Sequence, residues 1–149
     1  MEVLALKMQK INVLVIDGQG GQMGSQIIKE ILARYDKCNV TAVGTNATAA
    51  AAMIKSGAKQ VATGENPVIV ACRKADVIVG PIGIVIADSL FGEITPAMAV
   101  AVGQAVAPKI LIPVNKCENL VAGVPNLNTA ALITDAVSKL SAIINGKNA

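Results

Sequence analysis

Gly18, Gly20, Gly21 and Gly24 fall within one short run, Gly18-Gln19-Gly20-Gly21-Gln22-Met23-Gly24, directly after the apolar segment Ile11-Asn12-Val13-Leu14-Val15-Ile16-Asp17. An amphipathic stretch follows. Glycines between a buried strand and a helix let an anion approach backbone N–H groups that lack an intrahelical acceptor and lie at the positive end of the helix dipole. The chemistry expected is capture of a phosphorylated small molecule, with Gly18, Gln19, Gly20, Gly21, Met23 and Gly24 forming the cradle. The run departs from the dinucleotide fingerprint Gly-x-Gly-x-x-Gly. Counted from Gly18, Met23 takes the third glycine position, and counted from Gln19 the first glycine is lost. Asp17 adds a carboxylate beside the loop, which repels a pyrophosphate unless a cation or its own hydrogen bonds neutralise it.

A second group stands where an NAD site carries an acid at the end of its second strand: here the chain reads Gly44-Thr45-Asn46. Thr45 and Asn46 are expected to meet a ribose or its equivalent. Being neutral, they leave room for a 2′-phosphate, although no Arg stands beside them. NADP or another nucleotide are therefore the cofactor candidates. The turn Gly80-Pro81-Ile82-Gly83 is expected to close the opposite wall of the cleft.

With no histidine in the chain, His-based triads and His metal ligands are excluded, and a catalyst would have to use carboxylates, Lys or Cys. Candidates at strand ends are Asp17, Glu65 and the Lys116-Cys117 pair. Glu65 also reads as a loop residue beside an Asn66 cap, and Cys117 as an ordinary loop thiol. Asp88 and Glu93, flanking Phe91-Gly92, read as solvated charges near a helix end, with the cleft rim as the alternative. No spacing signals a metal site, and no catalytic residue is assigned.

The elements that must position these groups alternate. After the loop, Ile27, Ile28, Ile31, Leu32 and Tyr35 recur at helical spacing, with Glu30 and Arg34 one turn apart on the other face. Strands are expected over 39–44, 59–63, 76–80 and 109–114, with a short sixth over 120–124. Helices are expected over 47–56, from the Asn66-Pro67 cap to Lys74, from Thr95-Pro96 towards Pro108, and along the Leu132, Ile133, Ala136, Val137, Leu140, Ile143, Ile144 face. This alternation predicts one doubly wound α/β domain over 11–145, its parallel sheet ordered 3-2-1-4-5 plus an edge strand, after a lead-in over 1–10. Ligands of such sheets sit beyond the carboxyl ends of the strands where the winding reverses, here between the first and fourth.

Composition agrees. The 149 residues suit a single core, and 53% are apolar, mostly aliphatic, with one Tyr, one Phe and no Trp. No aromatic platform for bases exists, and the +3 formal charge comes from scattered lysines, so nucleic acid is not an expected partner. Only 15% of residues are charged, which points to a homo-oligomer, most simply a dimer; a well-filled core with a plain surface is the alternative. Cys38, Cys72 and Cys117 form no paired spacing, and no signal peptide or membrane span is apparent. A cytoplasmic protein is expected.

Taken together, the blocks Ile16-Asp17-Gly18-Gln19-Gly20-Gly21, Gly44-Thr45-Asn46-Ala47, Ala62-Thr63-Gly64-Glu65-Asn66, Gly80-Pro81-Ile82-Gly83-Ile84, Gly92-Glu93-Ile94-Thr95-Pro96-Ala97-Met98 and Ile112-Pro113 resemble an uncharacterised family of small bacterial Rossmann-like proteins, a domain of unknown function. The resemblance implies a nucleotide-binding type of fold and a bacterial cytoplasmic setting, and it assigns no activity. Gly21-Gln22-Met23-Gly24 alone is also similar to the glycine turn of prephenate-dehydrogenase-like NAD(P) enzymes, which carry a second domain. Three functions fit this pattern: a sensor or subunit binding a nucleotide or other phosphorylated metabolite, a small NADP-dependent oxidoreductase completed by a dimer partner, and an interaction scaffold with an empty cleft.

Overall fold

Residue Ile11 opens a strand whose side chains are nearly all apolar, and a strand of that kind is stable only when both its faces are covered. The computed structural model, which describes residues 10–114, 119–125 and 127–147, places this strand, β1 (Ile11–Asp17), at the centre of a five-stranded sheet. The sheet also contains β2 (Cys38–Gly44), β3 (Gln60–Thr63), β4 (Val77–Pro81) and β5 (Lys109–Ile112). All pairings are parallel and the order is β3-β2-β1-β4-β5, as the alternation of elements predicts. The expected lead-in over 1–10 lies outside the described residues except for Lys10.

Alternation along β1 divides the core in two. Ile11, Val13 and Val15 face one layer, where they pack with Ile27, Ile28 and Ile31 of α1 (Gln22–Arg34), Met53 of α2 (Ala47–Lys55), Ile133 and Val137 of α5 (Thr129–Ser138), and Leu140 and Ile144 of α6 (Leu140–Lys147). Leu14 and Ile16 face the other, packing with Val68 and Cys72 of α3 (Glu65–Cys72) and Met98 and Val102 of α4 (Pro96–Gln104). Leu90 and Ile94 join this second layer from the segment between β4 and α4. That segment opens with a 3-10 turn, Ile82–Val85.

Several expected boundaries shift. The stretch 120–124 forms no strand: Leu120 is exposed and Gly123 turns in the left-handed region. The helix expected from an Asn66 cap starts earlier, because Gly64 takes the cap position and Pro67 then lies in the first turn, where no N–H is needed; it ends at Cys72 instead of Lys74. The last helix is two, α5 and α6, separated at Lys139, whose N–H is shared between the Asp135 and Ala136 carbonyls. Among the described residues no helix is long and apolar enough to cross a membrane.

Candidate functional site

The loop between β1 and α1 can be accounted for one amide at a time. Asp17 is buried, 6% exposed, and folds back over the loop: its Oδ1 accepts from the Gly18 N–H at 2.8 Å and its Oδ2 from the Gly24 N–H at 2.7 Å. A residue from the preceding strand thereby caps α1, whose own N-cap, Gly21, has no side chain to do so. The Gly21 N–H bonds to the Gly18 carbonyl at 2.9 Å. The Gln19 N–H goes to Glu93 Oε1 at 3.0 Å. The N–H groups of Gly20, Gln22 and Met23 are left, and they make hydrogen bonds to no described residue.

Those three residues line a cleft of about 320 Å³ together with Asp17, Gly18, Gln19, Gly21, Pro81 and Leu90. The glycines around it have different reasons to be glycine. At Gly21 the φ of 75° and a virtual Cβ only 2.7 Å from the Ala49 Cα demand one, because the loop turns left-handed against the start of α2. A Cβ at Gly24 would fall 2.9 Å from the Asp17 Cβ, which is the close helix-to-strand approach expected of the third fingerprint glycine. Gly20 differs from both: a Cβ there meets nothing within 4 Å.

Glu93 reads in the sequence as a solvated charge, with the cleft rim as the alternative, and the structure sets it beside the loop. Its Oε1 accepts from Thr45 Oγ1 at 2.6 Å, from Asn46 Nδ2 at 2.6 Å and from the Gln19 amide, while Asn46 Nδ2 also reaches the Gln19 carbonyl at 2.9 Å. Thr45 and Asn46 thus stand beside the loop, as their position at the end of β2 suggests, and Asn46 caps α2 by accepting from the Ala49 N–H at 2.8 Å. A carboxylate therefore stands against this neutral pair. The signal available in the sequence was the spacing of Leu90 and Ile94, two buried apolar residues that draw the segment between them over the top of the sheet.

The two carboxylates respond differently to this setting. Burial raises the pKa of Asp17, the amides of Gly24 and Gly18 lower it in part, and repulsion from Glu93 raises it again, so the net is above the ordinary aspartate value. Burial also works to raise Glu93, but the hydrogen bonds from Thr45, Gln19 and Asn46 outweigh it and hold the group below the ordinary glutamate value.

The four residues of the turn Gly80–Gly83 are placed differently. Pro81 lines the cleft, whereas Gly80 is required by the approach of β4 to β1, its virtual Cβ lying 2.5 Å from the Ile16 carbonyl oxygen. Gly83 accepts a hydrogen bond from the Ser89 hydroxyl through its carbonyl, and Ile82 begins the 3-10 turn; neither is among the cleft-lining residues. Glu65 opens α3, and its neighbour Asn66 is exposed. Asp88 is exposed at φ 65°. Lys116 and Cys117 lie outside the described residues. Cys38 and Cys72 are buried thiols whose pKa values burial raises, which makes them poor nucleophiles. No cluster of His, Cys, Asp and Glu suited to a metal occurs among the described residues.

A family model, Domain of unknown function (DUF3842), matches residues 12–145. No curated protein sequence matches the chain. Among solved structures, the crystal structure of AibC is similar at 20% identity and a TM-score of 0.45, covering 96% of this chain and 44% of that one. The chain therefore spans less than half the length of AibC.

Proposed function

We propose that this chain, which belongs to the DUF3842 family of domains of unknown function, binds a nucleotide or another phosphorylated metabolite through the β1–α1 loop and acts as a sensor or a subunit. The observation that carries this reading is the set of three loop amides, Gly20, Gln22 and Met23, that have no described acceptor while lining one cleft. Two of them belong to the first turn of α1, a 13-residue helix whose dipole favours negative charge at that end. A phosphate oxygen supplies the acceptors that the described residues do not. Both Asp17 oxygens accept amide hydrogen bonds, from Gly18 and Gly24, which offset in part the repulsion its charge exerts on an anion here.

The test uses Gly20, the loop position where a side chain meets no neighbour. At ~100 times its dissociation constant a ligand stabilises the fold by about 2.7 kcal/mol, a melting shift of several degrees. Wild type screened by thermal shift against ADP, NAD, GDP, FMN, coenzyme A and sugar phosphates is expected to respond to at least one. Gly20→Val is expected to keep the unliganded melting temperature and lose that response. A variant that binds as well as wild type removes the phosphate from this loop, and silence of the wild type towards every ligand favours the scaffold reading.

A further inference from the structure

Glu93 presents an arrangement that holding the segment in place does not require. Three donors, the Gln19 N–H, Thr45 Oγ1 and Asn46 Nδ2, all converge on Oε1. Oε2 makes no hydrogen bond to any described residue, and it is not sealed from solvent. A carboxylate serving only as a latch gains more by sharing its donors between both oxygens, since each oxygen offers two lone pairs. Here one oxygen is clamped and the other is presented.

Its location is informative. A Cβ on Gly18 would lie 3.2 Å from Glu93 Oε1, so the carboxylate stands against the first residue of the glycine loop and beside the end of β2. Dinucleotide sites of doubly wound sheets hold the ribose hydroxyls with an acid at the end of the second strand itself. This chain has neutral Thr45 and Asn46 there, and the acid arrives from a segment 48 residues further along. Backbone geometry fixes its approach: Asp88, Leu90, Phe91 and Gly92 all have left-handed φ, folding the segment into a compact turn closed by the Asp88 N–H to Ile94 carbonyl bond at 2.7 Å. Leu90 anchors that turn in the core, at 3% exposure. No described cation pairs with Glu93 to cancel its charge.

We infer that Glu93 is a specificity-determining residue, accepting hydrogen bonds through Oε2 from the ribose hydroxyls of a nucleotide and turning away a ribose that carries a phosphate. The inference rests on the loop being the nucleotide's phosphate site. A hydroxyl donates to the free oxygen, whereas a 2′-phosphate brings a second negative charge against a carboxylate that cannot move without breaking three hydrogen bonds. The ligand class is therefore a nucleoside diphosphate or dinucleotide with an unmodified ribose.

Two matched pairs of probes, titrated by calorimetry into wild type and Glu93→Gln, test it: ADP against 2′-deoxy-ADP, and NAD against NADP. Wild type is expected to bind ADP at least about tenfold more tightly than its 2′-deoxy form, the size of one charge-assisted hydrogen bond, and to prefer NAD over NADP by a similar or larger factor. In Glu93→Gln, whose amide oxygen still accepts from Thr45 and Asn46, both preferences are expected to shrink towards unity. Equal binding within both pairs by wild type overturns the role of Glu93 and leaves the phosphate site standing. Should Glu93→Gln fail to fold, the wild-type ratios decide alone. If wild type binds inorganic pyrophosphate but no nucleotide, the ribose assignment falls by itself, and if it binds none of these, the phosphate site falls with it.

Discussion

Asp17 and Glu93 close the glycine loop from two sides, and protons act on them in opposite directions. The folded state raises the pKa of Asp17, so it holds that proton more tightly than the unfolded chain; the stability linked to Asp17 is greatest below the ordinary aspartate value and is lost as pH rises through the raised folded value. Glu93 is lowered by folding, so its contribution is present above the ordinary glutamate value and is lost as pH falls through the folded one. Melting curves of wild type and Glu93→Gln across the acid range are therefore expected to converge: wild type is the more stable near neutrality, and its advantage disappears as Glu93 protonates. A gap that stays constant with pH contradicts the clamp. Sequence alone left open whether hydrogen bonds would offset the Asp17 charge; the Gly18 and Gly24 amides do so in part, against the larger effect of burial. Glu93 was legible only as the cleft-rim alternative to a solvated charge, because its partners Thr45 and Asn46 are 48 and 47 residues away and the local spacing of Leu90 and Ile94 does not name them.

The elements around the site begin at caps, and two of those caps carry different loads. Thr95 accepts from the Met98 N–H at 3.1 Å and does nothing else for the site, whereas Asn46 caps α2 and also donates to Glu93 and to the Gln19 carbonyl. Thr95→Ala is expected to cost about 1 kcal/mol in chemical denaturation, and Asn46→Ala about 1 kcal/mol more, since it removes a cap and also leaves the half-buried Glu93 carboxylate short of a donor. Equal losses for the two variants contradict the coupling of α2 to the loop. Caps and strands of this kind were readable because each rests on a residue type with a local reason, as with Thr95-Pro96 or the β-branched run of β4. The failures have local reasons too. The apolar face from Leu132 to Ile144 runs unbroken through Lys139, so periodicity could not show that α5 ends and α6 begins there. Gly64, at φ 107°, takes the cap position, so the helix starts at Glu65, two residues before the start that the Asn66-Pro67 signal predicts.

At the scale of the whole molecule, the sheet order β3-β2-β1-β4-β5 was legible from the alternation of strands and helices, because parallel neighbours need crossover helices between them. Beyond the carboxyl ends of β1 and β4, where the winding reverses, lies the cleft with the three amides that have no described acceptor, while Glu93 bonds to Thr45 at the end of β2. The proposed phosphate accepts from those amides. Backbone amide NMR of the whole chain, titrated with whichever nucleotide shifts its melting temperature most, tests it most directly. The largest shifts are expected at Gly20, Gln22 and Met23, with Gly18 and Gly24, already bonded to Asp17, moving less. Shifts centred elsewhere in the chain, with those three amides unmoved, would contradict the account.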